Sequence, residues 1–171
     1  MTMNYDPKYD SGPISATEPD WKREQISAHW DPSRRLLRSL RRYQTLQQKR
    51  GPWAALCRKI QVFKHRFWSA VCGADIPLNC QLEGGLLLPH PTGVVIHPKA
   101  SVGPNCLLLQ QVTLVEGVTL GGHVDIGSGA KIVRAVSIGD HAKVGANAVV
   151  LQDVPPGATA VGIPAKIIPA E

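Results

Sequence analysis

The 171-residue chain has no apolar run approaching the roughly 20 residues that cross a bilayer, and its four cysteines, Cys57, Cys72, Cys80 and Cys106, include no CxxC pair. The first absence excludes a transmembrane helix. The second leaves no sequence sign of a metal or redox pair, so no metal is expected, and a reduced, cytoplasmic chain is the plain expectation. The N-terminus is polar and acidic and lacks the pattern of a secretory leader. No recognised nucleic-acid-binding motif is present. The formal charge of +6 is lopsided: residues 1–74 hold fourteen Lys/Arg against six Asp/Glu, net +8, whereas residues 75–171 hold five against seven, net −2.

What the chain does have is a period. An aliphatic residue returns every six positions from Ile96 to Val150: Ile96, Val102, Leu108, Leu114, Leu120, Ile126, Ile132, Ile138, Val144, Val150. Four residues after each stands a second, smaller apolar residue: Ala100, Cys106, Val112, Val118, Val124, Ala130, Val136, Ala142, Ala148, Val154. Six matches neither the 3.6 of a helix nor the 2 of a lone strand. It fits a short flat stretch, a corner, and another flat stretch, the hexapeptide form of a parallel β-helix. Both apolar positions point inward, the second small because three walls converge there. Three walls make a coil of 18 residues, and coils stack at roughly 4.8 Å. Cys80 and Cys106 occupy the small inward position and are expected to be core thiols.

The period continues upstream at Ile76, Leu82 and Leu88, but the step from Leu88 to Ile96 is eight. Two extra residues therefore bulge at one corner, within Leu88-Pro89-His90-Pro91-Thr92-Gly93. A local break in a consistent pattern marks a functional site. His90 lies at that break between two prolines that stiffen it, and imidazole is the side chain suited to accept a proton near neutral pH. Counting two residues past the inward position of each coil puts His90, Gln110, Ser128 and Ala146 in one column on a prism edge, about 14 Å long. Small residues there admit a thin, extended ligand against the backbone; the same residues also suit a plain corner.

The domain plan expected is a loose tail over residues 1–20, a basic helical cap over 21–72, and the β-helix over 73–169. Asp31-Pro32-Ser33 reads as a helix start. Leu36, Leu37, Leu40, Tyr43 and Leu46 keep helical spacing, and Gly51-Pro52 ends that helix. A second helix runs from about Trp53 to Val71, with Leu56, Ile60, Phe63 and Phe67 on one face. Solenoids need caps, so this pair reads as a cap on the end of the coil. The alternative is a basic amphipathic helix with Trp53 and Trp68 resting peripherally on an anionic membrane.

From about Gly73 to Ile168 the chain resembles the hexapeptide-repeat acyltransferases, in their serine O-acetyltransferase-like branch. The resemblance rests on Ala74-Asp75-Ile76-Pro77, on Leu88-Pro89-His90-Pro91-Thr92-Gly93-Val94-Val95-Ile96, on Gln111-Val112-Thr113-Leu114, on Ile126-Gly127-Ser128-Gly129-Ala130-Lys131-Ile132, and on Asp153-Val154-Pro155-Pro156-Gly157 through Gly162-Ile163-Pro164-Ala165-Lys166. It implies a left-handed parallel β-helix, a homotrimer with active sites between subunits, acetyl-CoA as co-substrate, and direct acetyl transfer to the hydroxyl of a small acceptor. It places His90 on the catalytic base and Asp75 on its orienting partner, as in triad logic. Ser128 and Ala146, with Gln110 in the same column, fall along the CoA arm, and Lys166 falls where a basic residue meets CoA phosphate.

The departures carry weight. Pro89 stands where the branch has Asp before the catalytic His, and the loop that follows Val-Thr-Leu-Gly-Gly, with its Arg-His pair for gripping serine, is missing after Leu114. Asp31 is a candidate replacement for an acidic serine contact. These losses favour a saccharide or other polyol as acceptor, and overall similarity favours serine. Two rivals remain: a metal hydratase on the same fold using His90, His97, His123 and His141, whose spacing does not match, and a non-catalytic trimeric binding or scaffold module.

Overall fold

The computed structural model describes residues 14–170. From Ala74 onward the chain winds into a parallel β-helix of two- and three-residue strands, with three walls. The first wall stacks β2 (Val95–Ile96), β5 (Thr113–Leu114), β8 (Lys131–Ile132) and β11 (Val149–Val150). The second stacks β1 (Gln81–Leu82), β3 (Ser101–Val102), β6 (Thr119–Leu120) and β9 (Ser137–Ile138). The third stacks β4 (Leu107–Leu108), β7 (Asp125–Ile126), β10 (Lys143–Val144) and β12 (Thr159–Val161), and closes with antiparallel β13 (Lys166–Ile168). Val95 pairs with Thr113, Thr113 with Lys131, and Lys131 with Val149, so the coil is the expected 18 residues.

Every large inward position from Ile76 to Val150 is buried, as is the residue four places later, except after Leu88, where the insertion moves the buried position from Thr92 to Val94. Cys80 and Cys106 are core thiols, as expected; burial pushes each thiol up to about 12. Corners that turn the chain from one wall to the next put Gly93, Gln111, Gly129 and Asn147 in the left-handed region, one per coil of the edge between the third and first walls. One assignment needs correction. Val154 pairs with Ile138 rather than continuing the small-residue series, and Thr159 pairs with Lys143. The last coil is therefore two residues short. Pro156 cuts this corner over Gly139, where any Cβ would lie 2.4 Å from the proline nitrogen.

The N-terminal segment caps the open first coil. A 3-10 turn (Trp21–Glu24) leads to α1 (Pro32–Gln47) and α2 (Pro52–Cys72). Asp31 caps α1 and Pro32 opens its first turn, as the sequence indicated. Leu36, Leu37 and Leu40 seal the end of the core, joined to the same cluster as the coil residues. The Arg41 guanidinium straps α1 to the first coil through the carbonyls of Leu82 and Glu83 and pairs with Glu24.

One expectation for this segment fails, and another gains a direction. The proposed tail over 1–20 lies outside the described residues up to position 13, and its remainder is not loose. Buried Asn105 donates to the carbonyls of Ser15 and Glu18 and accepts from the amide of Asp20, each at 2.8 Å. Gly122 permits this docking, because a Cβ there would fall 1.7 Å from the Ala16 carbonyl oxygen. The direction concerns α2. Its Leu56, Ile60, Phe63 and Phe67 share a face, but that face points outward. The buried face carries Gln61, His65 and Cys72 instead.

The reason is polar pairing. His65 Nε2 lies 2.8 Å from the Ile76 carbonyl and donates to it, while Nδ1 lies 3.1 Å from Ser39 Oγ on α1. Burial holds the His65 imidazole below its ordinary 6.5, outweighing the hydrogen bond to Ile76. Because the folded value is the lower one, the unfolded chain takes up the proton first as pH falls. Stability is thus full above about 6.5 and declines as pH drops through that value. Urea unfolding at about pH 7.5 and about pH 5.5 should show this decline, and His65→Gln should flatten it.

Candidate active site

The two extra residues between Leu88 and Ile96 leave the third wall and return at the first. The ladder resumes at Thr92, whose carbonyl accepts from the Gln111 amide at 2.9 Å. Gln110 in turn accepts from Gly129, and Ser128 from Asn147, each at 2.8 Å. The column on this edge is therefore Thr92, Gln110, Ser128 and Ala146. His90 is not its foot, as the count from Leu88 had it, but lies on the added loop beside it. Pro89 and His90 are exposed.

The loop is held at its far end by the helical cap. Gly73 ends α2 in the left-handed conformation, and its carbonyl accepts from the Gly93 amide at 2.7 Å. Glycine suits that φ of 61°, which L side chains rarely adopt. The next residues run beside the loop's exit, with the Asp75 amide donating to Val94 at 2.8 Å and Asp75 bridged to Val95. Asp75 is exposed on the first wall, and no hydrogen bond joins it to His90 among the described residues.

His90 opens onto a cleft of about 700 Å³ between the loop and the entry to α1. Pro89, His90 and Thr92 line one side, Trp30, Asp31 and Arg34 the other. Asp31 thus shares the cleft with His90, but its oxygens are engaged. They accept from the amides of Ser27 and Arg34 and form an ion pair with the Arg34 guanidinium at 3.0 Å. Asp31 is a helix cap and anchor rather than an open carboxylate. Together with desolvation, its charge pushes the Cys72 thiol at the cleft wall up to about 11, burial being the larger cause. Sequence reasoning missed Arg34 and Trp30 in this cleft. The available signal was the Asp31–Arg34 spacing of three on one helical turn.

Above the cleft the column is open along the prism edge. Ser128 and Gln110 are half-buried and Ala146 is exposed. At the top, Val161 packs over Gly145, and Lys166 pairs with Val161 across the β12–β13 hairpin, its side chain exposed. Five strand spacings along the third wall, about 24 Å, separate the level of the loop from that of Lys166. His123 and His141 stand on a different edge, Nδ1 to Nδ1 at 2.8 Å. Among the described residues no three His, Cys, Asp or Glu side chains gather as a metal site.

No protein-family profile matches the chain. It is 40% identical over 126 residues to a probable serine acetyltransferase of Oryza sativa subsp. japonica, covering 68% of this chain and 41% of that protein. Among solved structures it superposes on soybean serine acetyltransferase complexed with serine, with TM-score 0.66, 32% identity, and 80% of this chain and 57% of that one covered. It also superposes on a serine acetyltransferase in complex with CoA, with TM-score 0.63, 30% identity, and 82% and 58% covered. The chain spans less than half the length of the curated relatives it matches.

Repeat, coil and corner together define a three-walled parallel β-helix, and the similarity to serine acetyltransferases makes it a left-handed one of the hexapeptide-repeat acyltransferase type. Within that superfamily the chain belongs with the serine O-acetyltransferase-like branch.

Proposed function

We propose that the chain is an acetyl-CoA-dependent O-acetyltransferase, serine acetyltransferase-like, working as a homotrimer whose sites lie between subunits. The observation that carries this reading is His90, set on the single added loop of the solenoid, at the mouth of a cleft and beside an open column of small residues. In this reading His90 accepts the proton of the acceptor hydroxyl as its oxygen attacks the thioester carbonyl of acetyl-CoA. The C–S bond breaks, the ester forms, and the thiolate of CoA takes the proton back from the imidazolium. Asp75 serves as orienting partner once substrates or a neighbouring subunit close the site, since apo geometry is commonly looser than the working one. The pantetheine arm runs past Gln110, Ser128 and Ala146 toward Lys166. The relatives' names and the CoA-bound neighbour support this assignment.

A column that carries the CoA arm has a steric test. Ala146→Trp should raise the KM for acetyl-CoA by about tenfold or more while kcat changes less, because it obstructs ground-state and transition-state binding alike. The site is exposed, so the fold tolerates the ring. Steady-state titration of acetyl-CoA measures it; an unchanged KM removes the column from the CoA path.

The size of the cleft favours a second reading of the acceptor. About 700 Å³ falls in the range that holds drug-sized ligands and exceeds what serine alone fills. A saccharide or other polyol hydroxyl is therefore the alternative to serine. Thiol release from acetyl-CoA, followed with serine, homoserine, amino sugars and nucleotide sugars, decides between them. Acceptor-dependent release identifies the class; no release with any acceptor, from a chain that also fails to bind CoA, leaves a binding module and ends the enzymatic reading.

A further inference from the structure

The outward face of α2 is the largest feature that neither the cleft nor the core accounts for. Trp53, Leu56, Ile60, Phe63, Phe67 and Val71 follow spacings of three and four and form one stripe, each between 40% and 78% exposed. Over 18 helical steps the stripe runs about 27 Å. A soluble helix ordinarily turns such a face inward. Here the inward face is already committed through His65, Gln61 and Cys72.

Charge says what covers the stripe. From Pro32 to Ala74 the chain holds eleven Lys/Arg and no Asp or Glu. Lys59 and Arg66 flank the stripe on one shoulder. On the other, Arg35, Arg38, Arg42 and Lys64 line a groove of about 430 Å³ whose remaining walls include Phe63, Phe67 and Trp68. Arg35 stacks over the Trp68 ring at 5.4 Å, and its Nε is buried without a partner among the described residues. Trp30, 65% exposed, meets Trp68 edge to face and extends the aromatic surface to the rim of the His90 cleft.

We propose that this helical pair docks on an anionic lipid bilayer surface, with the α2 stripe at the headgroup–acyl boundary and the flanking cations on lipid phosphates. An amphipathic helix rich in Trp, Phe and Leu on one face and in Lys and Arg beside it is the composition that lies in a membrane interface. Basic clusters add attraction to anionic leaflets. A second copy of the chain fits less well, because pairing these faces opposes the flanking Lys59, Arg66, Arg35, Arg38, Arg42 and Lys64 with the same six cations. An acidic partner helix would have to supply both a matching apolar stripe and the counter-charges; a flat anionic interface supplies both at once. No described helix is long and apolar enough to cross a membrane, so the contact is peripheral.

The test uses the full chain in vesicle flotation. One set of vesicles is phosphatidylcholine alone, the other contains roughly one-third phosphatidylglycerol. The proposal expects binding to the anionic vesicles, at least tenfold weaker binding to the neutral ones, and loss of binding when salt shortens the Debye length from about 10 Å to about 3 Å. Phe63→Asp with Phe67→Asp should cut partition at least tenfold with the circular dichroism spectrum unchanged. Should that pair perturb the fold, Lys59→Gln, Lys64→Gln and Arg66→Gln together should weaken binding to anionic vesicles and leave the spectrum intact. Equal binding to both vesicle types, no binding to either, or binding that survives these substitutions overturns the proposal. So does a change in sedimenting mass on altering the stripe, which would make it a contact between copies. None of these outcomes depends on acetyl transfer.

Discussion

Replacing His90 by alanine should lower turnover of acetyl-CoA with its acceptor by about 10² to 10⁴, the usual contribution of a positioned general base. The expectation follows from position. Pro89, Pro91 and the Gly73–Gly93 hydrogen bond fix the loop that carries the imidazole, and nothing in the core depends on it. The variant should therefore keep its melting temperature and its KM for acetyl-CoA while kcat collapses. That split distinguishes loss of a proton acceptor from loss of binding or folding. Turnover within threefold of the unsubstituted chain would remove His90 from the reaction. Asp75→Asn provides the companion measurement: a smaller loss in kcat is expected, since the role proposed for it is exercised through the imidazole.

The second large effect is on stability. Ile126 lies on β7 in the middle of the third wall, wholly buried, stacked between Leu108 below and Val144 above. Ile126→Ala leaves a void that the coils above and below cannot close without losing their register, and should cost about 2–5 kcal/mol. For a chain of this length that corresponds to a fall in melting temperature of about 4–20 °C. Val133→Ala, one corner away and 41% exposed, should stay within about 0.5 kcal/mol. Thermal or denaturant unfolding of the two variants side by side measures the contrast. Equal effects would mean that the six-residue positions do not form the core.

The contrast shows why so much of the β-helix was legible. The regular coils meet their neighbours at a distance of 18 residues along the chain, so an inward position repeats as a visible period. A two-residue insertion shows as a slip in that period, which exposed His90 without any tertiary information. The count alone could not say on which side of the slip the ladder closes. The structure closes it at Thr92, because the Gln111 amide bonds there, and His90 is displaced beside the column. At the other end, the same kind of slip passed unnoticed at Val154, since a valine suits either inward position.

The sequence by itself determined the three-walled coil, its core residues, the start of α1 at Asp31 and the place of the loop that carries His90. Tertiary structure alone decided which face of α2 turns inward, that residues 14–20 lie against Asn105 and Gly122, and that Asp31, Arg34 and Trp30 share the cleft with His90. The physical reason is the range of the contacts. A stacked repeat writes its contacts at constant spacing, whereas a cap docks through single, distant pairings such as His65 with Ile76 and Arg41 with Leu82, which no periodicity records. Those pairings outvoted hydrophobicity in α2, burying a histidine and a glutamine and leaving Phe63 and Trp53 outside.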